Sequence, residues 1–122
     1  MRKNKISVVT GVAGTIGSNL ASALIKLGHI VYGIDDFSLG KRKNLDFLKK
    51  NKKFKLIKCD VSNYKQLKKN IFLKKKINYL WLLAANSDIQ AGIRDRNVDL
   101  VKTFMTTKIS LDFFSKYLFK NS

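Results

Sequence analysis

The chain has 122 residues, 45% of them hydrophobic, with one cysteine and no proline. That length holds one domain with a core of its own. No apolar run approaches the ~20 residues of a membrane helix, a lone cysteine excludes an internal disulfide, and the cytoplasm is the expected compartment. The net charge of +17 would suit phosphate neutralisation on a nucleic acid. Yet the lysines of "GKRKNLDFLKKNKKFKLIK" (40–58) and "YKQLKKNIFLKKK" (64–76) interleave with apolar positions. That pattern predicts solvated faces, and neither a specific nucleic-acid partner nor a membrane is expected.

In chain order, "KISVVT" (5–10) is short, β-branched and bounded by glycine, which predicts a buried strand. Residues 15–27 form a helical pattern with Ile16, Leu20, Ala23, Leu24 and Leu27 on the inward face, stopped by Gly28. "IVYGI" (30–34) is a second strand, followed by a short helix near 44–51. "FKLIKC" (54–59) is half polar, as suits a strand near a sheet edge, and a helix over about 62–74 points Leu67, Ile71 and Phe72 inward. "INYLWLLA" (77–84) is a fourth, strongly apolar strand. One long helix is expected over 95–119, with Val98, Val101, Met105, Ile109 and Phe113 as its apolar face. Such alternation implies an α/β fold, a Rossmann-like doubly wound parallel sheet with strands in the order 3-2-1-4 and helices on both faces. Ligands bind such sheets beyond the C-terminal strand ends, where the strand order reverses.

"TGVAGTIG" (10–17) lies at that reversal. Gly11 suits a tight turn out of the first strand, Gly14 a close approach of backbone amides to a pyrophosphate, and Gly17 close helix–sheet packing. Amides at a helix start favour an anion. The spacing G-x-x-G-x-x-G is weak evidence alone. It gains weight from the strand before it, the helix after it, and Asp35 at the end of the second strand, 18 residues past Gly17. A carboxylate there can accept the hydroxyls of an adenine ribose; otherwise Asp35 and Asp36 are an exposed loop pair. Tyr64 and Lys68 have the i, i+4 spacing of a catalytic pair, but their helix covers a sheet face remote from the site. Tyr117 and Lys120 have the wrong spacing. His29 is expected in solvent, Cys59 and Trp81 in the core, and no cluster has metal-ligand spacing.

Together "TGVAGTIGSNL", "GIDDFSLGKRKNL", "KCDVSNYKQL" and "LLAANSDI" resemble the N-terminal half of the extended short-chain dehydrogenase/reductase family. The likeness is to its NAD-dependent nucleotide-sugar epimerases and dehydratases, of the UDP-glucose 4-epimerase kind, and it covers essentially the whole chain. It implies that Thr15 and Ile16, with Gly11, Gly14 and Gly17, bracket the pyrophosphate of NAD. It places the adenosine ribose on Asp35, the adenosine side along Asp36, Phe37 and Ser38, and adenine between Asp60 and Val61. Leu83, Ala84 and Ala85 would pass the nicotinamide-side ribose, and Asn86 and Ser87 would open the loop toward substrate. Two departures stand out. Thr103 occupies the place of a helical asparagine, and the family's Tyr-x-x-x-Lys pair, which follows a fifth strand, is not reached within residues 1–122. The expectation is an incomplete N-terminal NAD-binding domain with no catalytic residue of its own. It would bind a nucleotide sugar only as part of a longer parent, and would tend to self-associate through its uncovered fourth strand. A non-catalytic dinucleotide-binding module and a basic nucleic-acid-binding protein are the alternatives.

Overall fold

Five consecutive buried residues, Ile6–Thr10, form β1 at the centre of the sheet in the computed structural model, which describes residues 5–71, 76–85, 93–95, 97 and 100–118. β2 (Ile30–Asp35), β3 (Phe54–Lys58) and β4 (Tyr79–Leu82) complete it. The order is β3-β2-β1-β4. Every pair is parallel, with Val8 opposite Tyr32 on one side and Leu80 on the other. Because parallel neighbours need crossovers, helices cover both faces. α1 (Thr15–Lys26) lies over one face. α2 (Tyr64–Asn70) and α3 (Thr106–Phe114) lie over the other. Alternate side chains of β1 feed the two cores. Ile6 and Val8 join Leu67, Phe113 and Phe114, while Val9 joins Ala21, Leu24 and Leu45.

The class and strand order expected from the sequence are those observed. Several element details differ. The inward face of α1 is Gly17, Ser18, Ala21 and Leu24, whereas Ile16 and Leu27 are 74% and 76% exposed and Ala23 is also exposed. Small residues let this helix sit close to the sheet; of the residues expected inward, Leu24 is buried and Leu20 packs at the edge of the core, while Ile16, Ala23 and Leu27 face out. The short helix near 44–51 is a single 3₁₀ turn, Arg42–Leu45, although Leu45 and Leu48 are buried. α2 starts at the Asn63 cap, whose side chain accepts from the Gln66 amide at 3.1 Å, and it ends where Ile71 turns extended. Phe72 lies outside the described residues.

The expected long helix is composite. Leu100–Met105 is π-helical, α3 follows, and Ser115–Tyr117 is a 3₁₀ turn. Its buried side is Thr106, Ser110, Phe113 and Phe114, with Met105 and Ile109 half-buried. Val98 and the Val101 side chain lie outside the described residues. Beyond the 3₁₀ turn, Leu118 makes a parallel bridge to Ile77, and the Ile77 amide donates to the Tyr117 carbonyl at 2.7 Å. The chain thus touches the sheet again just where β4 begins, which the sequence pattern did not suggest.

Candidate functional site

The three glycines after β1 do different physical work. Gly11 has φ 70°, and a Cβ there would lie 2.8 Å from the Ala84 amide nitrogen, so the turn after β4 can run against it. A Cβ on Gly17 would lie 2.2 Å from the Gly11 carbonyl oxygen, so α1 packs onto the turn at a distance only glycine permits. Gly14 is neither strained nor crowded. It is extended (φ −75°, ψ 170°), and its Cβ would meet nothing but the Gly11 oxygen at 3.4 Å. Gly14 is also the N-cap of α1 and offers no side chain to cap it, nor does the first turn contain an acid. The amides at the start of this helix are therefore open to an anion.

Gly14, Thr15 and Ile16 form the middle of a cleft of about 360 Å³ at the C-terminal ends of β1, β2 and β4. On the β2 side it is lined by Asp35, Asp36 and Ser38, on the β3 side by Asp60 and Val61, and on the β4 side by Leu83, Ala84 and Ala85. Of the site residues expected from the sequence, only Phe37 does not line it. Phe37 adopts φ 63° and packs its ring under the Arg42 guanidinium, 4.1 Å from the ring centre. Asn86 and Ser87 lie outside the described residues.

Asp35 is 9% exposed and folds the loops together. Its carboxylate accepts from the Ala13 amide at 2.9 Å and the Phe37 amide at 2.8 Å. A carboxylate offers about four lone-pair sites, so acceptor capacity is left beyond these two amides. Asp36 closes a turn on the Ser38 amide (2.9 Å) and hydroxyl (2.8 Å). Asp60 does the same with Ser62, at 2.9 and 2.6 Å. Buried Cys59 also lines the cleft. Burial first, then the charges of Asp60 and Asp36, push its thiol up to about 11, outweighing a hydrogen bond with Asn70 that acts the other way. It is a neutral wall, not a nucleophile.

Besides Cys59, the lining residues not expected at the site from the sequence are Ile34, Leu39, Gly40 and Thr106. Gly40 could have been suspected from the loop glycine itself. A Cβ there would lie 2.9 Å from Asp35 Oδ2, so the loop crosses directly over that carboxylate. Thr106 Oγ1 donates to the Ala84 carbonyl at 2.8 Å, a contact across 22 residues that only the fold reveals.

Other sequence candidates lie elsewhere. Tyr64 sits on α2, 43% exposed, with its ring edge-on to Phe113, and neither it nor Lys68 lines the cleft. Tyr117 also packs on Phe113, and Lys120 is outside the described residues. His29 is not a solvent histidine. Its Nδ1 is 2.8 Å from the buried Ser7 hydroxyl and its ring stacks on Tyr79. Trp81 is half-buried and donates to the same hydroxyl at 3.3 Å. Among the described residues, no three His, Cys, Asp or Glu side chains form a metal-binding group, and no helix is long and apolar enough to cross a membrane.

Comparison with known proteins agrees with this arrangement. The sequence profile of the GDP-mannose 4,6-dehydratase family matches residues 8–114. UDP-glucuronate 4-epimerase of Thermodesulfobacterium geofontis is 34% identical over 93 residues, 72% of this chain and 28% of that protein. The crystal structure of Thermotoga maritima UDP-glucose 4-epimerase with UDP-glucose matches with a TM-score of 0.79 at 27% identity, over 92% of this chain and 34% of that one. In fold, the Thermus thermophilus UDP-glucose 4-epimerase in complex with NAD matches with a TM-score of 0.74 at 21% identity, over 92% and 34%. The chain spans about a third of the length of these relatives.

Proposed function

Because the chain belongs to the GDP-mannose 4,6-dehydratase family of NAD-dependent nucleotide-sugar epimerases and dehydratases, we propose that its cleft holds NAD and that it forms the cofactor-binding portion of such an enzyme. The observation that carries this reading is Gly14. Neither backbone strain nor packing requires glycine there, yet a side chain would intrude into the cleft at the uncapped start of α1. Close approach by a ligand phosphate explains it.

In this reading the amides of Thr15 and Ile16 hold the pyrophosphate, while the Gly14 amide stays on the Gly11 carbonyl at 3.2 Å. Asp35 accepts the adenosine ribose hydroxyls with its remaining lone pairs, and Asp60 and Val61 flank adenine. Hydride acceptance from a sugar carbon is the chemistry NAD supplies when bound. What these residues contribute is position and a partly dry, apolar wall from Ile34, Val61 and Leu83. The described residues place no tyrosine–lysine pair at the cleft. A positioned base contributes ~10²–10⁴ in rate, so residues 1–122 alone should bind NAD but turn over no nucleotide sugar.

Titration calorimetry with NAD and NADP tests the reading. NAD should bind more tightly than NADP, since a 2′-phosphate would face the Asp35 charge. Gly14→Ala should change thermal stability by no more than about 1 kcal/mol, since alanine is the poorer N-cap but restricts the unfolded chain, while weakening NAD about tenfold or more. Full NAD affinity in that variant, or no NAD binding by the wild-type chain, would sink the proposal.

A further inference from the structure

The turn that follows β4 is gripped from two sides by buried threonines. Thr10, the last residue of β1, is 1% exposed, and its Oγ1 accepts from the Leu83 and Ala84 amides, both at 3.2 Å. From the other side Thr106, the first residue of α3, donates to the Ala84 carbonyl at 2.8 Å. Leu83, Ala84 and Ala85 have no polar side chain with which to hold their own backbone.

Thr106 is the conditional half of this grip. Its Oγ1 lies also 2.9 Å from the Thr103 carbonyl within its own helical segment. A hydroxyl has one proton, so the two carbonyls compete for it, and bonding to the helix alone is the common local alternative for threonine. The π-helical stretch Leu100–Met105 directly precedes it, and such turns recur where a helix serves a site.

Thr106 lines the cleft at its β4 end, while Asp35, Gly40 and Asp60 line the opposite end. In the order β3-β2-β1-β4, β1 and its glycine turn separate the two. Resting on the dinucleotide reading above, a ligand with one ribose on Asp35 and its phosphates on the glycine turn must extend its second nucleoside toward residues 83–85. We infer that Thr106 is a positioning residue for that second nucleoside. Its hydroxyl fixes the Ala84 carbonyl, and through it the wall against which the distal ribose lies.

The test compares NAD with ADP, which carries the adenosine and both phosphates but no second nucleoside. Thr106→Val should weaken NAD about tenfold, the scale of one lost buried hydrogen bond, and leave ADP affinity within about twofold. Thr106→Ser, which keeps the hydroxyl, should restore NAD binding. If valine prevents folding, Thr106→Ala carries the same expectation. Equal loss for both ligands, no loss for either, or failure of serine to rescue would overturn the positioning role while leaving the cleft reading standing. A wild-type chain that binds neither NAD nor ADP would overturn the cleft reading itself, and this inference with it.

Discussion

Ser110 Oγ is buried on α3, 1% exposed, with no hydrogen-bond partner among the described residues. A buried hydroxyl that gives up water without replacement is a cost, and removing it should be favourable. Ser110→Ala is expected to raise unfolding free energy by about 1 kcal/mol, read from urea denaturation; a loss of stability would show that the hydroxyl has a partner. Residues such as this one mark the limit of what sequence could tell. Gly11 and Gly17 were legible as backbone features because the turn and the helix start that require glycine are close in the chain. Thr106 was not, because the Ala84 carbonyl it bonds lies 22 residues away, and Gly40 went unread although the Asp35 carboxylate its loop crosses is close in the chain. His29 was misjudged for the same reason as Thr106, since Ser7 and Tyr79 reach it only through strand pairing.

At the level of elements, α1 shows how periodicity can find a helix and still mistake its orientation. The large apolar residues of 15–27 share an arc, and the sequence reading placed that arc inward. Close approach at Gly17 selects the arc of Ser18 and Ala21 instead, leaving Ile16 at the rim of the cleft. The two assignments are distinguishable. Ala21→Leu should overpack the helix–sheet contact and cost about 1–3 kcal/mol, whereas Ala23→Leu should change stability by less than about 0.5 kcal/mol. Reversed results in thermal or urea unfolding would restore the arc read from the sequence. Strand order fared better, because continuous apolar strands separated by helices leave few right-handed arrangements. The boundaries of the last helix did not, since nothing in its apolar spacing distinguishes π-helical from α-helical turns.

For the molecule as a whole, charge is the property most open to misreading. Lys65, Lys68 and Lys69 are exposed on α2 while Leu67 is buried, and Lys55 and Lys58 are exposed on the edge strand β3. Lysines on an edge also discourage pairing with another sheet. Binding to random DNA at ~150 mM salt should be no tighter than about 10⁻⁴–10⁻⁶ M; a nanomolar, sequence-selective complex would contradict this. The Ser7 hydroxyl has a consequence of another kind. The chain has one tryptophan and one histidine, and both bond to that oxygen. An indole N–H only donates, so Ser7 accepts from Trp81; in the His29 tautomer with a bare Nδ1 the Ser7 proton goes to that nitrogen. Burial, then the nearby Lys5 charge, hold the His29 pKa below its ordinary 6.5. The native ring thus resists protonation more than the unfolded one. Its contribution to stability is present above 6.5 and is lost as pH falls below that value. Because a protonated His29 can only donate from Nδ1 to the oxygen that Trp81 also bonds, the same step changes the surroundings of the only indole. Trp81 emission should therefore shift with a midpoint below 6.5, and His29→Ala should abolish the shift. An emission spectrum that ignores His29 would show the three side chains to be optically uncoupled; otherwise the protein carries its own fluorescent gauge of acidity.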